Sequence, residues 1–255
     1  MNKKNLLLFG LLLCTVLFAV DAQNKNTVQA LSGYEDQYAA LMNNVVNANT
    51  PGFRATKIVT RVDGKGNLVT EEVPMLFRRG QLIYSGDPLH LAIEGPGFFM
   101  VETPQGVMFT RDGRFTVNSN MILVTMSGKY PVLGQNGEIQ FGMTEMDSIS
   151  FQVTDTGLLV QQDSVLDRIL VGEIAEQATL RQLNGAFFIA DEGLNAFIPL
   201  ETPLVRQYYY EGSNVDMTEE LVSMPEISKK YDANAKVLQI LKKIRTTGRE
   251  MGSAQ

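Results

Sequence analysis

The chain has no tryptophan, one histidine and one cysteine among its 255 residues. Each scarcity excludes something. A single cysteine, Cys14, builds neither an intrachain disulfide nor a multi-cysteine metal site. A single histidine, His90, rules out a multi-histidine metal site and leaves one residue for any Ser-His-Asp arrangement. His90 sits in "DPLHLAIEGPG", one position of an alternating apolar strand, and is read as structural. No GxxxxGKS/T phosphate loop, GxSxG elbow or HExxH pair is present. The carboxylate pairs Glu71-Glu72 and Glu219-Glu220 are adjacent, so they point in different directions on a strand or helix and suit a solvated face. Gly95-Pro96-Gly97 is too short and too proline-blocked to cradle phosphate and reads as a tight turn. Tyr208-Tyr209-Tyr210 could stack on sugars, but alternating burial in the strand before the last helix is the preferred reading. Net charge is −6 with scattered basic residues, so no nucleic-acid or anionic-membrane surface is expected. The short cluster Lys242, Lys243 and Arg245 suits the last turn of a helix. These readings predict no enzyme, no cofactor, no metal and no small-molecule substrate.

What is present begins with a leader. Lys3 and Lys4 precede an apolar run, Leu6 to Val20, and Val20-Asp21-Ala22 offers a signal-peptidase site. Residues 1–22 are therefore expected to be a cleaved signal peptide, leaving a mature chain with no thiol and no membrane contact. The run is short for a membrane-spanning helix, which needs roughly 20 apolar residues.

Two helical zones follow the leader and close the chain. Leu31, Tyr34, Tyr38, Leu41 and Val45 are spaced 3, 4, 3, 4, as in a coiled-coil seam. Thr27 and Ser32 are candidate caps. The second zone, about 216–246, carries Leu221, Met224, Ser228, Tyr231, Ala235 and Leu238 at the same spacing, extended by Leu241 and Ile244. Asp216 or Thr218 can cap it, with Glu219 and Glu220 in its first turn. Pro225 lacks an N–H and clashes with the carbonyl four residues back, so a kink or break is expected there, with Ser223 available to cap a restart. The two seams predict a terminal coiled-coil pairing of 23–57 with 209–247, and a flexible tail at 248–255.

Between them, 58–208 reads as a β domain. Turn dipeptides recur at Asp63-Gly64, Ser85-Gly86, Gln105-Gly106, Asp112-Gly113, Ser127-Gly128, Asn136-Gly137, Thr156-Gly157, Asn184-Gly185 and Glu192-Gly193. Short apolar runs separate them: Leu89–Ile93, Phe98–Val101, Val107–Thr110, Met121–Thr125, Ile139–Phe141 and Ala186–Ala190. Asn136-Gly137 is the clearest hairpin. The fold class expected is mainly β, an antiparallel sandwich or barrel-like domain flanked by N- and C-terminal α-helices.

Four stretches resemble one family, the bacterial flagellar rod, hook and basal-body axial proteins. "LMNNVVNANTPGFRATK" (41–57) is similar to that family's ANNLANxNTxGFK-like phrase. "GQLIYSGDPLHLAIEGPGFFMV" (80–101), "FTRDGRFTVNSNMILVTMSGKYPVLG" (109–134) and "YEGSNVDMTEELVSMPEISKKYDANAKVLQ" (210–239) resemble its later segments, in order. The short 54–80 segment, the single modest β domain and "PVLG" are most like the proximal rod proteins, with the distal rod proteins next. His90 stands where the family tends to have Asp, and Met121 where it has a turn glycine. Pro225 and Ser228 stand where its last helix tends to have an apolar residue and Gln.

The resemblance implies a self-assembling tube subunit, with itself and other rod and hook proteins as partners, placed in the periplasm at the flagellar basal body. It also implies roles. Asn44, Asn47 and Asn49 would cap the helix end, Thr50, Pro51 and Gly52 would turn the chain outward, and Phe53 would anchor it by burial. The seam residues Leu31, Tyr34, Tyr38, Leu41, Val45, Leu221, Met224, Tyr231, Ala235, Leu238 and Leu241 would form the assembly interface.

Overall fold

The computed structural model describes residues 3–64, 68–74, 78–142, 151–161, 164–175, 180–183, 185–191 and 193–253. Helix α1 (Lys3–Val46) opens the chain. A hairpin follows, β1 (Thr56–Val62) and β2 (Leu68–Pro74). Then come β3 (Leu82–Tyr84), β4 (Leu91–Ile93), β5 (Phe98–Thr103), β6 (Gly106–Thr110), β7 (Phe115–Val117), β8 (Leu123–Thr125), β9 (Leu133–Gly134) and β10 (Gly137–Glu138). The series continues with β11 (Gln152–Val153), β12 (Leu158–Gln161), β13 (Ser164–Arg168), β14 (Val171–Ile174), β15 (Leu180–Gln182) and β16 (Phe187–Ala190). After a 3-10 turn at Gly193–Ala196 come β17 (Phe197–Pro199), β18 (Val205–Gln207) and β19 (Tyr209–Glu211), and helix α2 (Met217–Ser253) closes the chain. The architecture is mainly β with a helix at each end.

The chain divides into two compact units. The helical unit takes in 1–43, 56–73 and 217–255, and the β unit takes in 44–55 and 74–216. The expected boundary at 58 therefore moves. The β1–β2 hairpin belongs with the helices, because α1 offers it a flat contact. Gly33 is buried, and a Cβ there would lie 3.3 Å from Thr70 Cγ2. Thr70 Oγ1 also donates to Asp36 Oδ2 at 3.1 Å.

The β unit is organised around a six-stranded antiparallel sheet in the order β15-β16-β6-β5-β14-β17. Successive side chains on a strand point to opposite faces. The run Phe98-Phe99-Met100-Val101 in β5 is buried throughout, so both faces of the sheet carry a core. Phe99 and Val101 join Leu91, Phe115, Leu123 and Ile139 on one face. Phe98 and Met100 join Phe109, Phe188 and Ala196 on the other. The smaller ribbons β3–β19, β4–β18, β7–β8 and β9–β10 and the sheet β11-β12-β13 are antiparallel too.

Several expectations shift. The hairpin placed at Asn136-Gly137 forms one residue earlier: Gly137 pairs with Gly134, and Gln135 and Asn136 make the turn. Asp167, nearly buried, sets this register by taking Asn136 Nδ2 at 3.0 Å. Ile139 and Phe141 are core residues outside any strand, and Met121 lies in a turn rather than in β8. Asn184 and Glu192, from two of the expected turns, lie outside the described residues. Thr27 and Ser32 are interior to α1 rather than at its start, because the leader's helix formers carry the helix back to Lys3. α2 does not break at Pro225 but runs on, past the tail expected from 248, to Ser253. Ser223 caps no restart; its Oγ donates to Glu219 O at 2.8 Å.

Among the described residues, two non-glycine residues have positive φ, Met121 at 61° and Tyr208 at 70°. A left-handed backbone costs a side-chain-bearing residue roughly 1–3 kcal/mol. Both need a reason. Met121 has one: its N–H donates to Asn118 O, while Asn118 Oδ1 accepts the N–H groups of Asn120 and Ile122. That Asx-type turn demands the conformation.

Candidate assembly junction

The end of α1 is turned by its backbone and by one side-chain pair. Asn44 O and Val45 O accept the N–H groups of Asn47 and Ala48 at 3.1 and 3.3 Å. Asn47 Oδ1 accepts Thr50 Oγ1 at 3.1 Å, so this asparagine holds the turn itself. Asn44 is buried, whereas Asn49 is exposed and Pro51 is half-buried. Gly52 has φ 71°, and a Cβ there would lie 2.2 Å from Asp112 N; no other residue fits. Phe53 is buried.

The next residue is the one that sequence reading missed. Arg54 is 1% exposed and its Nη2 donates to Glu211 Oε1 at 2.7 Å. Glu211, also 1% exposed, ends β19 just before α2. Its Oε1 accepts Gly80 N at 2.8 Å, and its Oε2 accepts Arg111 Nε at 2.8 Å. Arg111 is 3% exposed, and its two Nη groups donate to Gly97 O at 2.6 Å and Gly95 O at 2.8 Å. The glycine-proline-glycine turn thus presents carbonyls to a buried guanidinium. Burial pulls the Arg111 pKa down to about 10, against the pull of Glu211 upward and with Arg54 adding to the depression. Arg111 still carries its charge at neutral pH, so two buried cations share one carboxylate.

Backbone bonds complete the knot. Gly52 N donates to Glu211 O at 2.8 Å, and Gly212 N donates to Gln81 O at 2.8 Å. Asn214 bridges three strands of chain: its Oδ1 accepts Ala55 N at 2.6 Å, its N donates to Phe53 O, and its Nδ2 donates to Arg78 O at 2.6 Å. Asp216 then stands at the N-cap position of α2 and takes Arg78 Nη2 at 3.0 Å. The stretches 41–57, 80–101, 109–134 and 210–239 each send residues into this one junction.

The expected seam residues lie in the helical unit, except Val45, which falls in the β unit. Leu41 is buried, Leu31, Tyr34 and Val45 are half-buried, and Tyr38 is exposed. On α2, Met224, Tyr231, Ala235, Leu238 and Leu241 are half-buried, but Leu221 and Ser228 are exposed. Ile227 and Asn234 are covered beside them, so the covered stripe is broader on that side than the expected seam. Tyr34, Tyr38, Ile227 and Tyr231 line a groove of about 360 Å³. Across it Tyr231 Oη donates to Glu35 Oε1 at 3.2 Å, which raises the tyrosine pKa. Leu221 (57%), Val222 (59%), Ile240 (59%) and Ile244 (50%) remain open to solvent.

His90 is absorbed by packing. Its ring meets Tyr210 edge-on at 5.8 Å, and its Nε2 lies 3.7 Å from Asp87 Oδ2. Among the described residues, no group of three His, Cys, Asp or Glu is placed to hold a metal ion.

Comparison with known proteins follows this geometry. Residues 92–182 match the flagellar hook protein FlgE/F/G D1 domain, and residues 206–249 match the flagellar basal body rod FlgEFG protein C-terminal domain. The chain is 31% identical over 218 residues to the flagellar basal-body rod protein FlgF of Caulobacter vibrioides, covering 77% of this chain and 83% of that one. It is 28% identical over 244 residues to the rod protein FlgG of Buchnera aphidicola, covering 80% and 91%. A 110-residue stretch is 40% identical to FlgF of Rhizobium meliloti, covering 40% and 45%. With these matches along most of its length, the chain belongs to the flagellar basal-body rod protein family.

Proposed function

We propose that the protein is a structural subunit that polymerises through its terminal helices into the axial tube of a flagellar rod. The tube would transmit torque and leave a path for export. The observation that carries this reading is the apolar surface that α2 leaves exposed: Leu221 and Val222 near its start, and Val237, Ile240 and Ile244 on one face farther along. Apolar surface of this kind marks an interaction face. The partners would be further copies and neighbouring rod and hook proteins. Asn44, Asn47, Thr50, Pro51, Gly52 and Phe53 would serve as the exit from the helical layer, and the junction behind them would fix where the β unit begins.

The leader adds a route. Removal of residues 1–22 would deliver the protein to the periplasm with α1 beginning at Gln23. Mass spectrometry of purified basal bodies, including this protein's N-terminal peptide, tests both parts. Recovery at rod-like stoichiometry with a terminus at Gln23 is expected. Recovery only from the soluble periplasm would reject polymerisation. It would favour a secreted paralogue that binds rod or cell wall without polymerising, a reading supported by the unusual Pro225 inside α2.

A further inference from the structure

We infer that the cleft beside Tyr208 binds a glycan strand, with pyranose rings on tyrosine faces and hydroxyls on Glu94, Asp155 and Arg206. The starting point is the backbone. Tyr208 alone separates β18 from β19, at φ 70°. Its N–H donates to His90 O at 2.9 Å, while its carbonyl accepts Ser85 N at 2.8 Å and Ser85 Oγ at 3.1 Å. The conformation is clamped from both sides. Glycine or asparagine would hold it without strain. A tyrosine there, 39% exposed, gains little from the core in return. Strained residues of this kind gather at ligand-binding surfaces.

The ring stands on an open cleft of about 560 Å³, lined by Leu204, Tyr209, Glu94, Asp155 and Arg206 as well. Tyr84, 67% exposed, meets Tyr209 edge-on at 5.3 Å beside it.

The chemistry of the lining selects the ligand. β4 pairs along β18, and Val205 N donates to Asp155 O, so β18 is poorly placed to accept an added strand. Gln207 is also committed: its Nε2 donates to Pro88 O, and its Oε1 accepts Val153 N. Besides Val153, Val205 and Gln207, the cleft is lined by two tyrosines, one leucine, two acidic residues and one arginine. An anion would meet both carboxylates. An ammonium would compete with Arg206, which already pairs with Glu94. A sugar ring offers a flat C–H face to tyrosine and hydroxyls that both donate and accept, and so uses every group present. This inference does not depend on whether the chain polymerises.

Co-sedimentation of the full chain with insoluble chitin, a β-1,4-linked pyranose polymer, tests it. The protein is expected to pellet with chitin and to be released by soluble chito-oligosaccharide. Tyr208→Gly removes the ring and relieves the backbone, so it should fold at least as stably while its affinity falls at least about tenfold. Tyr208→Phe should bind within about threefold of the parent, because the stacking face is kept. A parent protein that stays in the supernatant overturns the inference, and so does undiminished binding by Tyr208→Gly. If Tyr208→Gly changes only concentration-dependent self-association, the cleft belongs to a second copy, and the glycan assignment is likewise overturned.

Discussion

Arg54 and Glu211 are 157 residues apart in sequence and 2.7 Å apart in the fold, each almost wholly buried. One follows the turn that leaves α1, and the other precedes α2. Breaking a buried pair costs more than never having built it, because the surviving charge is left uncompensated. Glu211→Gln leaves two buried guanidiniums with no carboxylate and should destabilise the protein by about 3–5 kcal/mol in urea unfolding. The triple change Arg54→Met, Arg111→Met and Glu211→Leu removes all three charges and should cost less than Glu211→Gln alone.

Gly52 meets two demands at once, a φ of 71° and an approach of 2.2 Å between any Cβ and Asp112 N. Gly52→Ala should therefore cost about 2–4 kcal/mol, since neither backbone can yield cheaply. Gly64, with nothing within 4 Å of a Cβ, is the control; Gly64→Ala should shift the thermal midpoint little.

Pro225 interrupts the hydrogen-bond ladder of α2 without ending the helix. An interior proline costs a helix about 3 kcal/mol relative to alanine. Pro225→Ala should raise the helical signal in circular dichroism and delay melting of α2. If the proline also limits packing between copies, Pro225→Leu should increase self-association in sedimentation velocity. An unchanged sedimentation coefficient would remove the case for a non-polymerising paralogue.

Met121 at φ 61° carries the cost of a left-handed backbone. Met121→Gly should leave stability unchanged or raise it by up to about 1 kcal/mol, the left-handed penalty being offset in part by a more mobile unfolded chain. Thermal unfolding of the two proteins side by side measures it.

The helices were legible because apolar spacing reports directly on a covered face. Which flanking positions join that face was not: Ile227 and Asn234 are covered whereas Leu221 and Ser228 are exposed, and the spacing does not separate them. The turn glycines were legible because Gly52, Gly86, Gly97 and Gly157 all adopt positive φ. The junction was hidden for the opposite reason. Arg54, Arg111 and Glu211 look in sequence like solvated charges, and what buries them is each other together with the carbonyls of Gly95 and Gly97. No local pattern encodes a bond between residues so far apart.

The same junction makes the β unit an insert with both ends tied at one spot. The entropy of closing so long a loop grows only with the logarithm of its length, about 0.6 kcal/mol for each doubling. Enlarging, trimming or exchanging the segment between Arg111 and Glu211 therefore asks little of the tether that closes it. A junction of this kind accommodates β units of many sizes between the same two chain ends.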